Sequence, residues 1–230
     1  MIIAEASLQH DGYVGRAMDT ASAAQIEGAD AIKFQIFVPD EPLFCPLEGD
    51  GKRWPKWMKS TMPESDWRKV KKFCDEIGII FMASVFQHAA VDLYRSLNPK
   101  WWKVASRAAA TFPYEKAGGP FIVSAGGQGQ ISHDVLLDQK NRILQCCMEY
   151  PHKLKQWAIR DDPRVRQITC GLSDHSGSSW PSIDALARGA QIIEVHVDFG
   201  REQKLPEEIT LDQLNLICEA RDAFAAMRKS

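Results

Sequence analysis

Eight times along this chain a short apolar run is followed by a stretch with helical spacing, or by a remnant of one, and few folds accept that alternation. The predicted strands are Ile2–Ala6, Ala31–Phe37, Gly78–Ser84, Trp101–Ala105, Pro120–Ser124, Arg142–Cys147, Ile168–Leu172 and Ala190–His196. None alternates cleanly with period two, which is the pattern of parallel strands covered on both faces. The intervening helical stretches are Val14–Glu27, Glu64–Ile77, Ala89–Leu97, Asp134–Gln139, His152–Ile159 and Ser182–Arg188, with a short turn near Pro113–Lys116. The clearest helix is Thr210–Met227, where Leu211, Leu214, Ile217, Cys218 and Phe224 recur at helical spacing. That count predicts an α/β chain folded as a (β/α)8 TIM barrel, and 230 residues suit one. The rival, a doubly wound open sheet, calls for a glycine-rich phosphate turn after its first strand. Ala6-Ser7-Leu8-Gln9-His10 is not such a turn. No linker divides the chain, so a single domain over 1–230 is expected. One long loop, Val38 to Met62, leaves the C-terminal end of the second strand and is rich in Pro and Trp. A barrel has its active site at that end, so a lid or a sugar-contacting loop is expected there.

The hydrophobic content of 45% is enough for a full core, and the net charge of −2 comes from interspersed charges. Neither points to a nucleic-acid or membrane surface. No apolar run could span a bilayer, and Met1-Ile2-Ile3-Ala4 enters a strand without a signal-type leader. The six cysteines lack zinc-type spacing and mostly sit in apolar segments, as reduced thiols of a cytoplasmic protein would. Cys146 and Cys147, adjacent in one strand, should face opposite sides.

Chemistry-bearing residues collect at the predicted strand ends. Glu5 ends the first strand, the second carries Lys33 and Gln35, and Ser84 ends the third. Lys103 and Ser106 follow, then Ser124 and Gln145; Ser173, Asp174 and His175 end the seventh strand, and Glu194 and His196 the eighth. Two histidines at successive strand ends, each beside an acid, are either structural or ligands of a divalent metal with open positions. Lys33 either pairs with Glu5 or Glu194 to fill a barrel layer or grips an anion. Two lysines among serines suit a phosphate. His10 reads equally as a loop contact near Glu5 or a cap, and Gly126-Gly127-Gln128-Gly129 as a flexible loop before a phosphate nest. The tryptophans Trp54, Trp57, Trp67, Trp101 and Trp102 read as packing before sugar stacking.

In family order over nearly the whole chain, several phrases resemble the catalytic barrel of the sialic acid (N-acetylneuraminate) synthase family. They are Ile2-Ile3-Ala4-Glu5 with His10-Asp11-Gly12, Gly28-Ala29-Asp30-Ala31-Ile32-Lys33-Phe34-Gln35, Lys103-Val104-Ala105-Ser106, Tyr150-Pro151, Gly171-Leu172-Ser173-Asp174-His175-Ser176 and Ile192-Ile193-Glu194-Val195-His196. The resemblance implies condensation of phosphoenolpyruvate with the open-chain aldehyde of a sugar, giving a 2-keto-3-deoxy acid and phosphate. It implies a divalent cofactor, Mn2+ or Mg2+, on His175 and His196, and a homodimer. Lys33, Lys103, Ser106, Ser124 and Ser173 match the family's phosphate and carboxylate grips. Glu5 matches an acid near the metal-bound water, and Gln35 a polar contact beside it. Asp174 would orient His175 or meet substrate; Ser84, Phe86, Gln145, Tyr150 and Glu207 fall at substrate-contacting positions.

The chain also departs from the family pattern. After Ser106 the family has a Gly-Glu or Ser-Glu pair whose acid meets the sugar; here stand Arg107 and Ala108. Gln145 replaces a His, Met148 an Asn, and Gln87 an Asp after the third strand. The family's small C-terminal antifreeze-like domain has no counterpart before Ser230. Three expectations follow: a divergent synthase acting on another aldehyde, with Arg107 meeting an anionic group; a nonulosonate synthase barrel completed by a separate polypeptide; or a decayed barrel that only binds a ligand or partner.

Overall fold

The computed structural model describes residues 1–126, 131–147, 149–151, 153 and 169–228. The expected helix His152–Ile159, the start of the seventh strand at Ile168, Met148 and the Gly127-Gln128-Gly129 cluster lie outside the described residues. The strands are β1 Ile2–Ser7, β2 Ala31–Ile36, β3 Ile80–Val85, β4 Trp102–Val104, β5 Phe121–Ala125, β6 Arg142–Cys146, β7 Thr169–Asp174 and β8 Ile192–His196. The helices, numbered in chain order, are α1 Val14–Ile26, α2 Asp50–Lys59, α3 Glu64–Ile77, α4 His88–Ser96, α5 Tyr114–Ala117, α6 His133–Leu137, α7 Trp180–Ala187 and α8 Leu211–Met227.

The strands form one eight-stranded sheet in the order β3-β2-β1-β8-β7-β6-β5-β4, and every ladder is parallel. Its two ends, β3 and β4, lie against each other, so the sheet curls into the expected barrel. Side chains alternate across each strand. One set, including Ile2, Ala4, Ile32, Phe34, Val123, Leu172 and Ile193, packs under the surrounding helices. The other points inward, where Ile3, Ala31, Met82, Ile122, Leu144 and Ile192 form a closed apolar layer. In β7 the backbone passes so near β8 that a Cβ on Gly171 would lie 1.8 Å from the Ile192 carbonyl oxygen. Only glycine fits there.

At the N-terminal end of the strands Asp30 joins three elements. Its carboxylate accepts the Ile2 N–H at 2.6 Å and pairs with Arg221 of α8 at 2.7 Å. α8 opens on a capping box in which the Thr210 hydroxyl accepts the Gln213 N–H and the Gln213 amide oxygen accepts the Thr210 N–H. The segment from Val38 to Met62 is more ordered than a loop, because α2 lies within it. Trp57, buried on the inner side of α2, stacks on Phe37 with ring centroids 4.9 Å apart, and Phe37 stacks in turn on Phe86. The sequence hides this helix behind Pro55, which stands in its second turn and removes the hydrogen bond that an N–H there would make to the Gly51 carbonyl.

Candidate active site at the barrel mouth

Two residues further along the same strands, the inward layer changes character. Glu5, Lys33, Ser84, Lys103, Ser124, Cys146, Ser173 and Glu194 stand above the apolar layer and line the floor of a cavity of about 500 Å³. Glu194 is their hub. Its carboxylate lies 3.1 Å from Lys103 Nζ and 3.6 Å from Lys33 Nζ, and it accepts the Ser173 hydroxyl at 3.4 Å. Lys33 also pairs with Glu5 at 2.6 Å and donates to the Ser84 hydroxyl oxygen at 2.9 Å. Lys103 donates to Ser124 Oγ at 2.8 Å. Burial raises the Glu194 carboxyl, but Lys103 and then Lys33 outweigh it and hold the group at about 2. Burial lowers Lys33, yet Glu194 and Glu5 bring it above the ordinary lysine value. At Lys103 burial prevails and the shift is downward, even against Glu194. The layer-filling role open to Lys33 is therefore realised, with both lysines still facing the cavity. Gln35 donates to Glu5 Oε1 at 3.3 Å, and the same oxygen accepts the Ser7 hydroxyl at 3.0 Å.

Above this floor His175 and His196 face each other with ring centroids 5.1 Å apart. Burial first, and then neighbouring charge, lowers them to about 3 and about 4, so both imidazoles are neutral at ordinary pH. The Cys147 carbonyl, 2.8 Å from His175 Nδ1, can only accept, which puts the ring proton on Nδ1. Nε2 then carries the lone pair, and the Tyr150 hydroxyl donates to it at 2.9 Å. A neutral pair with one tautomer set by a backbone carbonyl is what a divalent ion asks of histidine ligands. Among the described residues no group of three or more His, Cys, Asp and Glu is placed to hold an ion. His196, and His175 once Tyr150 gives up its hydrogen bond to Nε2, fit one side of an ion whose other positions are left to water or substrate oxygens.

Ser106, Phe86, Arg107, Tyr150 and Glu207 also line the cavity, Phe86 as part of the aromatic stack. Three sequence expectations are corrected. Gln145 lies between Leu144 and Cys146, both inward, so alternation turns it to the outer face of β6 and Cys146 takes the cavity position. Asp174 does not line the cavity: its carboxylate accepts the Ser176 N–H and the Ser182 hydroxyl, each at 2.9 Å, tying the turn after β7 to α7. His175 is oriented by Cys147 and Tyr150 instead. Arg107 is engaged within the chain, with its guanidinium 2.5 Å and 3.1 Å from the two Asp50 oxygens and donating to the Cys45 carbonyl at 2.7 Å.

Sequence reasoning places Glu194 at the mouth and as a partner for Lys33 but does not make it the hub of the floor, and it misses Cys146 in the site altogether. Burial pushes the Cys146 thiol up to about 11, and its Sγ lies 3.8 Å from His175 Nδ1. The opposed facing of Cys146 and Cys147 was the available signal. His10 is a turn and core residue: its Nδ1 accepts the Gly12 N–H at 3.1 Å, and its ring packs edge-on against Trp67 and Phe34.

The chain is similar to several known proteins. Pseudaminic acid synthase of Campylobacter jejuni is 28% identical over 219 residues, covering 85% of this chain and 64% of that protein. Human N-acetylneuraminate-9-phosphate synthase is 27% identical over 226 residues, covering 88% and 63%. The chain thus spans somewhat under two thirds of the length of these curated relatives. The crystal structure of the spore coat polysaccharide biosynthesis protein SpsE of Bacillus subtilis superposes with a TM-score of 0.81 at 25% identity, over 100% of this chain and 69% of that one. Residues 20–219 match the model of the NeuB family, a span that runs from α1 into α8 and takes in the lysine floor and both histidines, and the chain belongs to that family.

Proposed function

We propose that this barrel joins phosphoenolpyruvate to a sugar-derived aldehyde and releases phosphate as a 2-keto-3-deoxy acid forms. The observation that carries the reading is the floor itself: two buried lysines, each donating a hydrogen bond to a serine hydroxyl oxygen, beneath two neutral imidazoles. Lys33, Lys103, Ser84, Ser106, Ser124 and Ser173 bind the phosphate and carboxylate of phosphoenolpyruvate; an incoming anion competes with Glu5 and Glu194 for the ammonium groups. His175 and His196 hold the divalent cation, Mn2+ or Mg2+, which when bound polarises the aldehyde oxygen.

The methylene carbon of phosphoenolpyruvate then forms a bond to the aldehyde carbon, and the aldehyde oxygen takes a proton. Water adds at the former enol carbon, and cleavage of the C–O bond to phosphorus expels phosphate. Glu5 takes the proton of that water, a role supported by its facing the cavity beside Lys33 and Gln35. The test is phosphate release from phosphoenolpyruvate with manganese across a panel of aldoses and N-acyl sugars. Acceptor-dependent release is expected, and its absence with every acceptor rejects the synthase reading in favour of a barrel that only binds. His175→Ala and His196→Ala should each abolish manganese binding in calorimetry; retained binding in either variant displaces the metal site.

A further inference from the structure

We propose that α2 forms an anion-recognition rim on the mouth, in which Arg53 and Lys56 grip a phosphate at the end of the acceptor remote from its aldehyde. The assignment rests on the reading above, that an aldehyde acceptor enters this cavity. Six cationic side chains line it: Lys33, Lys103, Arg107, Arg201, Arg53 and Lys56. Four have a carboxylate of their own, Lys33 in Glu5 and Glu194, Lys103 in Glu194, Arg107 in Asp50 and Arg201 in Glu208. Arg53 and Lys56 make no ion pair among the described residues. Asp50, whose carboxyl feels the charge of Arg53, has both oxygens taken by Arg107. The floor is thus balanced in charge, and among the described lining residues the cations outside an ion pair lie on α2 and the one carboxylate outside an ion pair is Glu207.

The fold also takes trouble to hold α2 in place. Asp50, Arg53 and Trp57 recur at helical spacing on its mouth-facing side, so the Arg107 tether at one end and the buried Trp57 at the other set where Arg53 points. Lys56 precedes Trp57 and lines the same cavity. The root of the segment is fixed by Gln87, whose amide accepts the Val38 N–H at 2.8 Å and donates to the Val38 carbonyl at 3.0 Å. An aspartate there could accept but not donate. Below the last turn, Gly12 lets the loop after β1 pass α2, since a Cβ would lie 2.8 Å from the Lys59 carbonyl oxygen.

Gln87 and Arg107 are two of the departures from the family pattern, and both replace an acid-bearing phrase with an anchor for this segment. Lost carboxylates remove acceptors for sugar hydroxyls; a guanidinium and an ammonium on a concave wall supply donors and charge for a phosphate. The cavity, about 500 Å³, is of the size that holds a small metabolite rather than a macromolecule.

Calorimetry at low salt with glucitol 6-phosphate and glucitol, open-chain probes that cannot react, tests the rim. The wild-type chain should bind the phosphorylated probe at least about tenfold more tightly, and Arg53→Ala/Lys56→Ala should erase that advantage. Equal binding of the two probes by the wild-type chain overturns the proposal, as does an advantage that survives in the double variant. Inorganic phosphate binding as tightly as the sugar phosphate would make the rim a bare phosphate site and reject the acceptor assignment. A tenfold loss of phosphoenolpyruvate affinity in the double variant would give these cations to the other substrate and reject it too. Failure of the synthase reading has a different signature, no phosphate release with any acceptor, and leaves the probe comparison intact.

Discussion

Two layers of side chains fill the barrel from the same strands, two residues apart and equally buried, yet their chemistry is opposite. The lower, with Ile3, Met82, Ile122 and Leu144, is apolar; the upper holds the charged side chains Glu5, Lys33, Lys103 and Glu194. The lower layer gains by excluding water, and each methylene it buries adds to stability. The upper layer pays desolvation for every charge and recovers it only through pairing. Evenly matched burial therefore says little about role: the lower layer closes the barrel, and the upper keeps charge ready for an anion at the cost of a floor that tolerates no unpaired member.

The largest effect expected from this contrast is at the hub. Glu194→Ala leaves Lys103 without a carboxylate and Lys33 with Glu5 alone, and should cost about 3–5 kcal/mol in urea unfolding. Adding Lys103→Met should return most of it, because the uncompensated ammonium goes too. A loss below about 1 kcal/mol for Glu194→Ala would mean that water reaches this layer and that the contrast is false. In the lower layer Leu144→Ala should cost about 2–5 kcal/mol through the cavity it leaves, while phosphoenolpyruvate affinity stays near wild type. A marked fall in that affinity at unchanged fold would show the layers to be coupled.

His10 offers a third setting, a titratable group buried in the strand–helix core with Asp11 as its nearby charge. Burial lowers it to about 4. Between the ordinary histidine value near 6.5 and that point, the unfolded chain binds a proton that the folded chain refuses. Stability therefore falls as pH falls through this window, by at most about 1.4 kcal/mol per unit from this residue. His10→Gln should flatten the slope by that much between pH 6.5 and 4.5, and an unchanged slope would assign the acid sensitivity elsewhere. The smallest effect is Ile122→Val, at about 1 kcal/mol in thermal or urea unfolding, with no change at the mouth.

Most of the fold was legible because it depends on local pattern. Each described strand begins and ends within two residues of its apolar run at nearly every boundary, and α3 spans Glu64–Ile77 as its spacing predicts. Helix α2 was not legible: Pro55 and a run of charged residues mask a face whose burial depends on Phe37 and Phe86, which come from other parts of the chain. In the site, Lys33, Lys103, Ser84, Ser124, His175 and His196 fall at one mouth because strand ends place them there. Gln145 and Asp174 do not, because being near a strand end is not the same as facing inward.

The order of residues was enough to specify eight parallel strands, the end of the barrel that carries the polar groups, and the chemistry those groups share. Hydrophobic periodicity and strand parity are properties of neighbours in the chain, so they survive without coordinates. Partnership is not such a property. That Glu194 serves both lysines, that Tyr150 meets the lone pair of His175, and that Arg107 spends its charge on Asp50 depend on residues brought together from distant segments. Electrostatic attraction and desolvation act over a few ångströms of space. Only the closed barrel decides which charges lie within that distance, and which two, on α2, are left for a ligand.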